Sequence, residues 1–189
     1  MNLETYGNTK GSTIGKLLVN YFPVRSHSRV KDVCVHCDPE FQTFTYGDPT
    51  TPKAGLRKLK KGDLLVFYAG LAGWDRHCDP ALYIIGYFEV EKAILARNYD
   101  WDDLQPEFGG NFHLRHRPVF DHQKDRLVLI KGRSGSRFLK TAKRISVQAK
   151  NKAGRPIHVL SPEMRRVFGD FGGHIIIHRS PPRLAVVHH

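Results

Sequence analysis

The chain reads as a small mixed α+β fold, a curved sheet or partly closed β-barrel carrying short helices. Three observations predict it. Segments of strong β character recur at Leu64 to Ala69, Leu82 to Val90 and Arg126 to Lys131, each rich in aliphatic or aromatic residues. The stretches between them are punctuated by Gly, Pro, Asn and Asp, without the regular long helices of a doubly wound parallel sheet. With 189 residues, 40% of them hydrophobic, the chain can build one core, and a single domain over 30–189 with a polar arm at 1–29 is expected.

The arm is rich in Gly, Asn, Ser and Thr around one apolar patch from Ile14 to Val19, which fits a short helix or irregular segment. Gly11-Ser12-Thr13-Ile14-Gly15-Lys16 invites comparison with a phosphate loop. It lacks the GxxxxGK[ST] spacing and has Leu17 where the magnesium-binding hydroxyl belongs, which excludes that class of nucleotide hydrolase. Phe41, Thr43 and Thr45 alternate as one face of a short strand that Gly47 to Pro52 ends in a turn. Lys53 to Lys61 predicts a short basic helix with Leu56 and Leu59 on one side, stopped by Gly62.

After the Leu64 to Ala69 strand comes a loop, Gly70 to Ala81, with two further features of interest, Trp74 and the Asp79-Pro80 turn. Gly86 interrupts the next strand at a point suited to a bulge or sharp bend. Ala93 to Asn98 either extends that strand or opens a helix, and Tyr99 to Gly110 is acidic and aromatic. Beyond the third strong strand, Leu139, Ala142 and Ile145 recur every three residues and predict a short helix over 138–145. Ile157 to Leu160 and His174 to His178 read as closing strands around a helix begun by Ser161-Pro162.

Charge is unevenly distributed. Residues 1–130 hold 17 basic and 16 acidic side chains, and residues 131–189 hold 13 and 2, so +11 of the formal +12 lies in the last 59 residues. Such a segment suits an acidic partner, DNA or RNA or an anionic membrane face, without revealing fold or enzyme class. No run approaches the roughly 20 apolar residues of a membrane span, and the polar start has no secretory apolar centre, so a cytoplasmic protein without a membrane partner is expected. Three cysteines, at 34, 37 and 78, do not make a disulfide scaffold. Cys34 and Cys37 have CxxC spacing, but without a second CxxC they read as ordinary thiols; no metal and no cofactor is expected.

The stretch Lys131-Gly132-Arg133-Ser134-Gly135-Ser136-Arg137 offers close backbone approach, hydroxyls and cations to a phosphate, and Lys140, Lys143 and Arg144 continue the charge; a basic surface turn is the competing reading. Most aromatics are expected in the core. Tyr46, Tyr68 and Trp74 stand at turns or strand ends where a base, single-stranded or flipped out, could stack. Asp48 is an acid/base candidate set against the commoner role of a turn acceptor, and Asn111 is a candidate for a cavity rim, able to read a base edge, set against the reading of a satisfied loop asparagine. His113, His116 and His122 have no metal-binding spacing and read as surface or loop residues.

Several blocks together resemble the nucleotide modification associated domain 3 family: His36 to Phe41, Phe44 to Pro49, Leu59 to Leu71, Leu82 to Phe88, Lys131-Gly132 and Ser136 to Leu139. A looser similarity runs to the PUA-like domains, the EVE and ASCH groups. The resemblance implies a compact β-barrel with helices that binds RNA or a modified DNA base in a cleft, with Tyr46, Asp48, Tyr68, Asn111, Lys131, Ser134, Ser136 and Arg137 as pocket and backbone-binding rim. The expected function is recognition of a base in DNA or RNA, modified bases included. Two other readings stand beside it: an enzyme that modifies or hydrolyses a nucleoside or nucleotide, and a basic subunit that recruits a nucleic-acid modification enzyme.

Overall fold

The computed structural model describes residues 4–10, 16–33, 35–71 and 80–169. They fall into two compact units, 1–37 and 38–189. In the first, two 3-10 turns, Leu18–Tyr21 and Val24–Ser26, lead into one helical turn, α1 (His27–Val30). Backbone bonds from Tyr6 to Val33, Gly7 to Lys31 and Val19 to Tyr6 tie the segment together, and the rings of Tyr6 and Phe22 meet edge-on at 5.4 Å. Residues 11–15, which hold most of the phosphate-loop look-alike, lie outside the described residues.

The second unit is built around one long strand. Its strands in chain order are β1 (Thr45–Asp48), β2 (Leu64–Leu71), β3 (Ala81–Leu95), β4 (Val128–Gly132), β5 (Arg137–Arg144), β6 (Ser146–Lys150) and β7 (Pro156–Leu160). β2 runs antiparallel along one edge of β3, while β5 and β4 share the other edge, β5 beside Tyr83 to Tyr87 and β4 beside Val90 to Leu95. β1 adds to β4, and β6 and β7 form a separate hairpin.

The result is a strongly curled antiparallel half-barrel with a few short helices, the curved α+β sheet that the sequence predicts. The curl has a local cause. Ile85 is skipped in the ladders to both β2 and β5, and Glu91 is skipped in the ladder to β4. Each extra residue bends the strand and raises its twist. Beside the first bulge, a Cβ on Gly86 would stand 2.5 Å from the Phe41 ring and 2.6 Å from the Arg137 carbonyl oxygen, so no other residue fits there without displacing backbone.

Apolar alternation on the strands feeds three clusters. Leu129 and Leu127 pack beneath α2 (Trp101–Phe108), α3 (Phe112–Arg115) and α4 (Arg117–Gln123), which supply Leu104, Phe108, Leu114 and Phe120. Val128 and Ile130, on the opposite face of β4, meet Val90 and Leu56, the latter from a 3-10 helix at Thr51–Lys58. Leu82 and Ile145 meet Leu160 of β7 and Met164 of α5 (Pro162–Phe168). Burying such side chains contributes on the order of 1.5–3 kcal/mol each relative to exposure.

Two expectations change. The strand predicted from Phe41 begins only at Thr45; Phe41 to Phe44 form a turn whose last residue has φ 51. The helix predicted over 138–145 is strand β5. Leu139 to Ala142 stand opposite the single bulged residue Ile85, so β5 leaves the two-residue rhythm and its half-buried positions, Leu139 and Ala142, fall three apart. A bulge has thus produced the spacing of a helix. The Ser161-Pro162 start of α5 forms as expected, the Ser161 hydroxyl accepting from the Met164 amide at 3.2 Å, and the segment 174–178 lies outside the described residues.

Candidate nucleic-acid interface

Two groups of polar side chains stand out in the 38–189 unit. The first is an internal network behind β1. Alternation sends Tyr46 and Asp48 to one face and Gly47 to the other, where a Cβ would lie 2.6 Å from His113 and 2.9 Å from the Asn111 side-chain oxygen. Asn111 caps α3 by accepting from the His113 amide at 3.1 Å, and its own amide donates to Asp38 at 3.4 Å. Asp38 also accepts from the Gly47 amide at 3.2 Å.

His113 closes this network. Its Nδ1 lies 2.6 Å from the Gln123 side-chain oxygen Oε1, its Nε2 lies 3.1 Å from the Gly47 backbone carbonyl oxygen, and Nε2 is 3.8 Å from the Asp38 carboxylate. Both ring nitrogens face acceptors, which suits the imidazolium form. Burial pulls the His113 pKa down, but the hydrogen bond and charge of Asp38, with Gln123 and Gly47, outweigh it and leave the value raised. Burial pushes the Asp38 pKa up, against the lowering effect of His113 and the Gly47 and Asn111 donors. On the other face of β1, the Tyr46 hydroxyl donates to Asp48 at 3.0 Å, and Asp48 also accepts from the Thr50 amide and hydroxyl. Burial, followed by the charges of Asp48 and Asp38, raises the Tyr46 pKa far above its ordinary value, so the phenol remains a donor.

The second group is the cationic strand β5. Arg137, Lys140, Lys143 and Arg144 are all exposed, and the strand contains no acidic residue. Arg137 folds back to donate to the carbonyls of Ser134 and Ser136, Lys143 lies 3.5 Å from Glu163, and Arg144 donates to the Ser146 carbonyl at 3.0 Å. Among them stands Phe138, 62% exposed, its ring 4.9 Å from that of Phe41. Phe41 in turn meets Phe67 and Phe88 edge-on at 5.7 and 5.3 Å, and Phe67 meets Tyr46 at 5.4 Å. A continuous row of rings therefore runs from the surface at β5 into the curl of the sheet.

The candidate residues drawn from the sequence divide between these settings. Tyr46 and Asp48 are joined by their hydrogen bond, whereas Tyr68 packs with Leu82, Ile145, Leu160 and Met164 in another cluster. Asn111 is 0% exposed, inside the fold rather than at a rim. Lys131 donates to the carbonyls of Thr43 and Glu107, Arg133 pairs with Glu89, and the fully buried Ser136 hydroxyl accepts from the Glu89 amide at 3.1 Å. Ser134 is exposed in the turn. Trp74, Cys34, His77 and Cys78 lie outside the described residues, and Cys37 is an exposed free thiol.

Sequence reasoning missed Asp38, Gln123 and Phe138, and it read His113 as a surface residue although only 2% of it is exposed. The signal for His113 was its place two residues after an Asn that begins a helix. Nothing local marks Phe138, because its exposure depends on the bulge opposite Ile85.

No helix among the described residues is long and apolar enough to cross a membrane. No curated protein and no solved structure matches the chain. The sequence model of a family described as nucleotide modification associated domain 3 does match, over residues 2–168. With well over half of its 189 residues covered by that match, through strand β5 and helix α5, the chain belongs to the nucleotide modification associated domain 3 family.

Proposed function

We propose that the 38–189 unit is a PUA-like nucleic-acid-binding domain working with a nucleotide-modification system, and that β5 holds the phosphate backbone of its DNA or RNA. The observation that carries this reading is the row of exposed cations Arg137, Lys140, Lys143 and Arg144 on a strand without an acid. Phosphate contacts of this kind supply affinity that falls with salt, while contacts to the base supply selectivity. Lys131 and Ser136 are engaged within the fold and the charge of Arg133 is met by Glu89, so the phosphate role moves from the Gly/Ser turn to the strand that follows it. Base selectivity, for a modified base included, falls to contacts with the base rather than with the phosphates.

Binding of a short oligonucleotide at several salt concentrations tests this. Replacing Lys140 and Lys143 by Gln is expected to reduce the slope of log affinity against log salt by about 0.7–0.9 for each phosphate no longer neutralised. Arg97→Gln with Arg126→Gln removes the same charge at the far end of β3, beyond its pairing with β5, and should leave the slope near that of the unmodified protein. Equal slopes for all three proteins, or no binding at low salt, would overturn the assignment.

A further inference from the structure

Phe138 has an environment that the charge of β5 does not explain. At 62% it is the most exposed aromatic ring among the described residues. Its position is nevertheless determined. Across the ladder it faces Gly86, which has no side chain, and Phe41 occupies the space above that glycine. Phe138 therefore rests on Phe41 at 4.9 Å with 53° between the rings, and Phe41 is held edge-on by Phe67 and Phe88. One side of the ring is supported by packed aromatics, and most of the rest is open to solvent. Such a ring loses little freedom when a flat partner lands on it.

The surroundings narrow the partner. Arg137 precedes the ring, and Lys140, Lys143 and Arg144 follow it. A second copy of this chain adding a strand along the outer edge of β5 would set cations against cations, which destabilises a pair of strands. An anionic membrane would satisfy the charge, but Phe138 is the only large hydrophobic residue of β5 that is exposed, too little apolar surface for an embedded face. A polyanion that also carries flat rings satisfies both features. In a duplex the base faces are covered by neighbouring pairs; in a single strand they are free to stack on an aromatic side chain.

Resting on the nucleic-acid reading above, we propose that β5 is a single-strand-binding edge: Phe138 takes an unpaired base on its open face, and Lys140, Lys143 and Arg144 hold the neighbouring phosphates. Every base presents a π-face, so this contact selects unpaired over paired nucleic acid rather than one base over another. It sets strandedness first and leaves base identity to other contacts.

Fluorescence anisotropy with one labelled oligonucleotide, alone and annealed to its complement, provides the test at low salt. The unmodified protein is expected to bind the single strand more tightly than the duplex. Phe138→Ala should weaken single-strand binding by about 5- to 150-fold, the factor that corresponds to one stacked base, while leaving duplex binding and the salt slope unchanged. Phe138→Trp should retain the single-strand affinity. Phe138→Leu, which keeps an apolar contact with Phe41 but has no π-face, should lose it, separating stacking from support of the fold. Single-strand binding that survives Phe138→Ala or Phe138→Leu refutes the proposal, as does equal affinity for the two forms. Tighter binding to phosphatidylserine vesicles than to the single strand, abolished in Phe138→Ala, would assign the edge to a membrane instead. Failure to bind either nucleic acid defeats the nucleic-acid reading itself, whereas duplex binding that depends on Lys140 and Lys143 without single-strand preference defeats only the role of Phe138.

Discussion

Replacing His113 by Phe probes the internal network most directly. The ring is 2% exposed, and the Asp38 side chain beside it is 7% exposed, so the substitution keeps an aromatic in place while removing the cation that faces a nearly buried carboxylate. Asp38 retains the Gly47 and Asn111 donors, but the acceptors at Gly47 and Gln123 lose the imidazole protons. Breaking a buried ion pair from one side costs about 3–5 kcal/mol, more than deleting both charges, because the remaining charge is left desolvated. In a domain of this size that lowers Tm by about 6–20 °C. Urea unfolding followed by circular dichroism gives the free energy for the unmodified protein, His113→Phe, Asp38→Asn and the double variant.

The pH dependence has a defined sign. His113 has a folded pKa above 6.5, so the stability it contributes is fully present below 6.5 and is lost as pH rises through the folded value. Asp38 is also raised, above 3.8, so its ionisation costs stability from that pH upward. Tyr46 and Asp48 lie on the opposite face of β1, and Tyr46 remains protonated throughout this window. The gap between the unmodified protein and His113→Phe should therefore be widest near pH 6.5, where Asp38 is ionised and His113 protonated, and should narrow both above it and in acid as Asp38 takes up its proton. A gap that widens as pH rises above 6.5, or a double variant no more stable than His113→Phe alone, would refute the coupling of these two groups.

Gly47→Ala would bring a methyl group to 2.6 Å from His113 and 2.9 Å from the Asn111 oxygen, and a destabilisation of about 1–3 kcal/mol from overpacking is expected as a lower urea midpoint at unchanged slope. Ser136→Ala removes the acceptor for the Glu89 amide and should cost about 1–3 kcal/mol by the same assay. Because that hydroxyl is fully buried, the salt dependence of oligonucleotide binding should not change in this variant.

Much of the framework was legible because strand patterning is local. Leu64 to Ala69, Leu82 to Val90 and Arg126 to Lys131 each contain enough β-branched, aliphatic and aromatic residues to read as strands, and Ser161-Pro162 carries its helix start in two letters. Gly86 was legible as a bend for the same reason, since a glycine inside an aromatic strand marks a place where something approaches closely. The helix expected over 138–145 failed where periodicity is ambiguous: a strand that bulges opposite one partner residue buries positions three apart, as a helical turn does. Asn111 and His113 were misplaced because burial of a polar side chain depends on partners remote in sequence, here Asp38, Gly47 and Gln123.

The sequence by itself determined the curved α+β class, the concentration of charge after residue 130 and the family resemblance, all of which follow from composition and short-range pattern. Only the tertiary structure decided which of those charges face outward. In the turn from Lys131 to Ser136, Lys131 is held by the Thr43 and Glu107 carbonyls, the buried Ser136 by the Glu89 amide, and the exposed Arg133 by the Glu89 carboxylate, while the cations of the strand after it remain exposed. The physical reason is that a cation or hydroxyl has the same local sequence whether it meets water or a buried acceptor. Its partner is chosen by the pairing of strands tens of residues apart, and Phe138, set against Gly86 and Phe41, acquires its exposed face in the same way.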